Sequence, residues 1–398
     1  MSKLDTIRQQ EESLLFHTYG RYPVALERGR GSRLWDVDGK EYTDLLAGIA
    51  VTSLGHCHPE ISEVIAAQSQ KLIHVSNLFY QQAHVDLAKK LFATAHFEKV
   101  FYCNSGAEAN EGAFKLARRY HQRVKNKNAY EIISFEGCFH GRTLATVAAT
   151  GRAKYQDGFA PMPEGFTQIP YGDASVLEAA VSEKTAGVLL EIVQGEGGIR
   201  PVTPEFVQSV AKICREKGIL FIVDEIQTGL CRTGKWWAFQ HFGVQPDILT
   251  LAKAIANGLP MGALMATDEV AQAFVPGAHA TTYGGGALLC AVALKVLEIM
   301  ERDKLAERAG ALGDWALQRF RSVQQNCPGR IKDVRGLGLM MGIELTMPGK
   351  EVLEALLQKG FILNLAQDTV LRLVPALNIE KEDLERFASA LEEVLKTQ

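Results

Sequence analysis

Between Ile219 and Lys253 the chain reads ILFIVDEIQTG, a bridge, then DILTLAK, and this stretch leaves the rest of the sequence little choice of fold. Ile219–Val223 is a continuous apolar run rich in β-branched residues, the pattern of a strand covered on both faces inside a parallel sheet. Asp247–Leu251 is a weaker copy. Asp224 and Lys253 therefore fall at strand carboxyl ends, the edge at which open α/β sheets bind ligands. An acid and an amine delivered to one edge by neighbouring strands form a candidate site. An ordinary acid and lysine closing two strands is an equally simple account of these two residues taken alone.

The flanking sequence alternates strands and helices as a parallel sheet requires. Val100–Cys103 reads as a strand and Ala109–Tyr120 as a helix. The turn between them, Ser105-Gly106-Ala107, offers free N–H groups at the positive end of a helix, a geometry suited to phosphate; a plain strand-to-helix turn is the alternative. A further strand ends near Phe135, and Phe139, His140 and Arg142 follow it. Residues 187–198 give another strand and a Gly-rich tail carrying Glu196, and the helix Pro204 to Lys217 leads back into the opening stretch. Earlier, Trp35 and Val37 alternate before Asp38-Gly39, with Tyr42 and Leu45 beyond, as in a hairpin. From Pro59 to Ala95 apolar spacing gives two helices. Near the C-terminus, helices around 303–325 and 380–396 bracket strands at Gly338–Glu344, Phe361–Leu365 and Leu371–Val374.

With 398 residues, 47% apolar and 22% charged, the chain can bury two substantial cores. A net charge of −3 gives no electrostatic footprint for nucleic acid or an acidic membrane, and no apolar run approaches membrane-spanning length. Seven scattered cysteines without paired spacing fit a reducing compartment, and an acidic first segment argues against a transit peptide, so a cytoplasmic location is expected. His56-Cys57-His58 invites a metal reading, but no second ligand cluster stands at usable spacing, and no metal is expected. Gly229–Lys235 has the spacing of a phosphate loop, yet Trp236 stands where a Mg²⁺-binding hydroxyl is needed. Gly336-Leu337-Gly338 and Gly342 lack a following helix start and read as part of a strand.

The segments DEIQTG, LAKAIANGLP, FHGRT and HATTYGGG, taken together, resemble the fold-type I pyridoxal-phosphate enzymes, specifically the class III (ω-amino acid) aminotransferases. The resemblance spans essentially the whole chain. It implies pyridoxal 5'-phosphate as cofactor, a large domain with a mostly parallel central sheet flanked by helices, and a smaller α+β domain built from both chain ends. Lys253 is then the lysine that carries the cofactor and moves the substrate proton. Asp224 pairs with the ring nitrogen and keeps it protonated, so that the ring can withdraw electrons. The same resemblance puts Glu225, Ile226 and Gln227 beside the cofactor, Phe139 on its ring, Ser105-Gly106-Ala107 on its phosphate, and Thr282 on the phosphate of the other subunit. It assigns Arg142, Thr281, Glu196, Arg372 and Tyr19 to substrate. Ile192 stands where the family usually has proline, and Gly285-Gly286-Ala287 replaces its usual Gly-Gly-Asn-Pro.

Within class III, the TYGR-P, AGIAV…LGHCHP and FHGRT segments are most similar to acetylornithine aminotransferases. Ornithine, succinylornithine, N-succinyl-diaminopimelate and 4-aminobutyrate aminotransferases share the chemistry. A mutase, or a relative that keeps the fold only as a binding module, stands further off. The resemblance implies a small-molecule amino donor, 2-oxoglutarate as acceptor, and a homodimer with shared sites. The expected divisions are an arm over 1–28, a hairpin segment over 29–58, a cofactor domain over 59–286, a linking helix over 287–303 and a C-terminal domain over 304–398.

Overall fold

The computed structural model describes residues 2–397. A helix, Lys3–Leu14, capped by Ser2, buries none of its residues and leads into an extended arm. Three antiparallel strands follow: β1 (Leu26–Arg30), β2 (Arg33–Asp36) and β3 (Glu41–Asp44). The Asp38-Gly39 turn forms where the sequence marks it, because Asp36 Oδ1 accepts the N–H groups of Asp38 (3.0 Å) and Lys40 (2.9 Å). Beyond β3 the backbone enters the left-handed region for four residues, with φ of 49° at Ala47, 63° at Gly48, 68° at Ile49 and 62° at Ala50. Asp44 stabilises this turn by accepting the N–H groups of Leu46 and Ala47 through Oδ1, while its Oδ2 binds His56 Nε2 at 2.7 Å. His56 is thus a structural partner of Asp44.

Two helices, Pro59–Lys71 and Gln82–Phe92, precede the main sheet. Its strands are β4 (Lys99–Cys103), β5 (Glu131–Phe135), β6 (Phe166–Ile169) and β7 (Thr185–Leu190). After a short pair, β8 (Val193–Gln194) and β9 (Arg200–Pro201), come β10 (Leu220–Asp224), β11 (Ile248–Leu251) and β12 (Gly262–Ala266). The order is β4-β12-β11-β10-β7-β5-β6, parallel except that β12 runs against both neighbours. Every residue of β7, β10, β11 and β12 is buried, which is why β10 reads as an unbroken apolar run. Helix Gly106–Arg119 and helix Pro204–Lys217 each turn a buried apolar stripe inward, the latter capped by Thr203 and closed by Gly218 at φ 64°.

Helices Ala287–Arg302 and Leu305–Asn326 lead to β13 (Ile331–Leu337) and β14 (Met340–Leu345). The glycine-containing segment expected to lie within one strand is therefore a hairpin. Gly338 turns it at φ 56°, where a Cβ would lie 2.5 Å from the Thr233 carbonyl carbon. Next come β15 (Phe361–Ile362), β16 (Asn364–Ala366), β17 (Val370–Leu373) and the terminal helix Lys381–Thr397. Strands β13-β14-β17-β16 form one sheet. Strand β15 instead pairs in parallel with β3, so residues from both ends of the chain share the sheet β1-β2-β3-β15.

Candidate active site

Strands β10 and β11 run parallel with Asp224 opposite Thr250, and Lys253 follows just beyond the end of β11. The Asp224 carboxylate, 4% exposed, is fully engaged. Its Oδ2 accepts from Asn110 Nδ2 at 2.9 Å and from His140 Nδ1 at 2.8 Å, and its Oδ1 accepts the Ile226 N–H at 3.0 Å. Asn110 is itself fixed: it accepts from Thr250 Oγ1 at 2.8 Å and donates to the His140 carbonyl at 2.8 Å. Burial opposes a charge on His140, but the Cys138 sulfur and the Asp224 carboxylate outweigh it and hold the imidazole well above its usual value. His140 Nε2 has no hydrogen-bond partner, and it gathers with Cys138 Sγ and a Glu191 oxygen within 4.8 Å.

Lys253 occupies the left-handed region at φ 48°, a strained conformation for a residue with a Cβ and one that concentrates at functional sites. Its amine makes no ion pair among the described residues. Burial pulls its pKa down to about 8, with the nearby Arg372 charge adding to the effect and Glu196, Asp224 and Glu191 opposing it. The neutral amine is thus far more populated near pH 7 than in an ordinary lysine, which favours its use as a proton carrier.

Lys253 and Asp224 face a cavity of about 340 Å³ that is also lined by Ser105, Gly106, Ala107, Phe139, Ile226 and Gln227. Ser105 caps the helix Gly106–Arg119 by accepting the Glu108 N–H, which leaves the N–H groups of Gly106 and Ala107 without intrahelical acceptors. A Cβ on Gly106 would lie 2.8 Å from Ile226 Cδ1, so glycine is what lets the cradle sit against the strand end. Ile226 reaches the cavity through the turn after β10, anchored by its N–H on Asp224. Glu191 also lines the cavity; burial raises its pKa to about 7 despite the His140 charge, and its Oε2 accepts the Phe139 N–H at 3.1 Å. Glu225, assigned to the cofactor by resemblance, is turned the other way. Its carboxylate accepts from Thr228 Oγ1 at 2.5 Å and from the Phe239 N–H at 3.0 Å, and burial raises its pKa to about 7.

On the substrate side, Arg142 stacks its guanidinium 3.9 Å from the Tyr155 ring centroid and 5.5 Å from that of Phe139. Arg372, 1% exposed, donates from Nη1 to Glu196 Oε1 at 2.5 Å and from Nε to Asn364 Oδ1 at 3.0 Å. Burial works against the Glu196 charge, but Arg372 outweighs it and holds this carboxyl below the usual glutamate value. Tyr19 stands 75% exposed on the arm, whereas Tyr22 lies near enough to feel the Arg372 charge. Thr281 accepts from Asn104 Nδ2 at 3.2 Å. Thr282 is exposed and lies outside the cavity of its own chain, next to Tyr283, itself 67% exposed.

A buried lysine and a buried, triply bonded aspartate beside a helix N-terminus make a cofactor site, and the family match gives the class of enzyme it serves. The chain matches the family "Aminotransferase class-III" over residues 16–395 and belongs to it, and it is a pyridoxal-phosphate-dependent enzyme. It is 45% identical over 388 residues to the acetylornithine aminotransferase of Methanocaldococcus jannaschii, covering 96% of each chain. It is 44% identical over 391 residues to that of Methanothermobacter thermautotrophicus, covering 98% of each. Among solved structures it resembles the ornithine aminotransferase of Toxoplasma gondii, with a TM-score of 0.96 at 31% identity and coverage of 100% and 96%. It also resembles the acetylornithine aminotransferase of Elizabethkingia anophelis, with a TM-score of 0.90 at 33% identity and 100% coverage of each.

The cavity fits the cofactor on its own terms. Gln227 Oε1 is buried with no hydrogen-bond partner, the N–H pair at Gly106 and Ala107 awaits an anion, and the Lys253 amine is unpaired. Asn110, Glu191, Tyr155 and Arg152 are site residues that the motifs did not single out. Asn110 left a trace: it is the polar side chain in AEANEGAF on the helix's otherwise apolar buried face.

Proposed function

We propose that the enzyme transfers the terminal amino group of N2-acetylornithine to 2-oxoglutarate, giving N-acetylglutamate 5-semialdehyde and glutamate, in arginine biosynthesis. The observation that carries this reading is the pairing of buried Arg372 with Glu196 while Arg142 has no carboxylate partner among the described residues. One carboxylate subsite is open and a second is masked, which suits a donor with one carboxylate and an acceptor with two. The names of the relatives support the acetylated donor. A panel of donors with 2-oxoglutarate tests it: acetylornithine should exceed free ornithine, succinylornithine and 4-aminobutyrate in kcat/KM, and a higher value for any of these would reassign the donor.

In this mechanism Ser105, Gly106 and Ala107 would hold the cofactor phosphate, Phe139 and Ile226 would pack against its ring, and Gln227 would take its hydroxyl. The bound cofactor supplies a carbonyl to receive the amine and a ring to withdraw electrons. Asp224 would hold a proton at the ring nitrogen, and its three donors fix it in place. Lys253 Nζ, in the fraction that is neutral, would take the proton from the carbon that bears the donor nitrogen and return it elsewhere. Arg142 binds the donor carboxylate. Glu196 covers Arg372 in the donor half-reaction, since a buried guanidinium left without a partner is costly, and uncovers it for the second carboxylate of 2-oxoglutarate.

The enzyme acts as a homodimer in this reading. Leu78, Phe79 and Tyr80, exposed at 86%, 65% and 107%, follow Asn77, whose Nδ2 donates to the Thr281 and Gly284 carbonyls, so this apolar segment lies on a loop next to the one that carries Thr282 and exposed Tyr283. Pairing two copies there covers that surface and brings Thr282 of one protomer to the cofactor phosphate of the other. No described helix is long and apolar enough to cross a membrane.

A further inference from the structure

When the Arg372 subsite opens, the Glu196 carboxylate loses its partner and needs another cation. The backbone is poorly placed to carry it away. The Glu196 carbonyl accepts from Arg152 Nη2 at 2.5 Å and from Gln367 Nε2 at 3.0 Å. Just beyond, Arg335 grips the carbonyls of Gly198, through Nη2 at 2.6 Å, and Ile199, through Nε at 2.8 Å. Gly197 is packed so closely that a Cβ there would lie 2.6 Å from Gln194 Oε1. The glycine-rich loop is therefore pinned around Glu196, and the freedom left is rotation of its side chain.

Besides Arg372, two cations bear on this carboxylate: Lys253 and Arg152. Lys253 is the reacting amine. Arg152 is half-buried, already sits at the Glu196 main chain, and makes no ion pair among the described residues. Its Nη1 donates to the Tyr155 hydroxyl at 3.2 Å, and the Tyr155 ring carries the Arg142 guanidinium. We infer that Arg152 is a positioning residue and the second station of a side-chain gate: Glu196 pairs with Arg372 while the monocarboxylate donor is bound, and with Arg152 while the dicarboxylate acceptor is bound. This rests on the role given to Glu196 under the proposed function. It replaces a moving loop by a carboxylate passed between two arginines, one of them in contact with the support of the donor-binding Arg142.

The test compares holoenzyme of Arg152→Gln, Arg152→Lys, Glu196→Ala and the double variant Arg152→Gln/Glu196→Ala. Each half-reaction is followed separately in single turnovers, and the binding of glutarate, a non-reacting dicarboxylate, is measured by calorimetry. Arg152→Gln should shift the ratio of half-reaction rates about tenfold against 2-oxoglutarate and weaken glutarate by a similar factor, about 1.4 kcal/mol. Arg152→Lys should recover most of that loss. In the Glu196→Ala background the same substitution should leave both readouts unmoved, because no carboxylate remains to be received. An equal fall in both half-reactions, or an undiminished Arg152→Gln effect without Glu196, overturns the inference and leaves the Glu196 gate standing. If Glu196→Ala alone leaves donor preference unchanged, the gate itself is wrong and this inference goes with it.

Discussion

The two ends of the cavity hold buried carboxylates in opposite ways. Asp224 takes three donors, two of which, Asn110 and His140, are also bonded to each other, so no single contact can be released without orphaning more buried groups. The Glu196 carboxylate has one side-chain partner, Arg372, and its side chain keeps 23% of its surface exposed. A charge that must stay is enclosed in a network, and a charge that must leave is given one strong bond, some solvent and a neighbouring cation. Redundancy of hydrogen bonds, more than burial, separates the fixed acid from the movable one.

Removal of the group that both ends serve should have the largest effect. Lys253→Ala should lower both half-reactions by about 10⁴-fold or more, and borohydride reduction followed by peptide mass mapping should find the cofactor on Lys253 in the parent enzyme and nowhere in the variant. Cofactor found on a different lysine would remove Lys253 from the centre of this comparison.

At the fixed end, Asp224→Ala should cost about 10²- to 10³-fold in each half-reaction alike, since it strips a preorganised charge used in both. Asn110→Ala should cost less but with the same even distribution. A strong bias towards one half would mean that the network moves during turnover.

At the movable end, Glu196→Ala should act unevenly. The rate with acetylornithine falls, glutamate competes better for the uncovered Arg372, and the preference between them shifts by about tenfold, or roughly 1.4 kcal/mol. Stopped-flow spectra of each half-reaction read this directly, and an even loss would reduce the Glu196–Arg372 pair to a structural contact.

The smallest effect concerns pH. Lys253 has its pKa lowered to about 8, chiefly by burial, so in the apoenzyme its labelling by trinitrobenzenesulfonate should rise with pH and level off above about 8, where ordinary lysines are still gaining. Between about 8 and the ordinary lysine value of 10.5 the unfolded chain binds the proton that the folded chain has lost, so this residue's contribution to stability rises with pH across that window. Peptide-resolved labelling across pH 6–11 would show a profile indistinguishable from surface lysines if the amine were not enclosed.

Lys253 and Asp224 were legible because each closes an apolar run, and a charge at the end of a fully buried strand is conspicuous in one dimension. The helix Pro204–Lys217 was legible to the residue, having a threonine cap before it and a glycine after it. The hairpin at Gly338 was not, because its turn is built from apolar residues and is recognised only by the Thr233 backbone pressed against it. Glu225 was misplaced because adjacency in DEIQ says nothing about which way a side chain turns once the strand has ended. Arg152 and Tyr155 lie far in sequence from the loop they support and carry no motif, so only the folded chain brings them to Glu196 and Arg142.

The antiparallel strand β12 also sets the order in which the enzyme can come into being. Strand β4, which delivers Ser105 to the phosphate cradle, has β12 as its only sheet neighbour, with Cys103 opposite Gly262. The cradle's own strand therefore waits on a partner made much later, a long-range closure of the kind that slows folding. A chain ended between residues 253 and 262 contains both the lysine and the acid but lacks the strand on which the cradle docks.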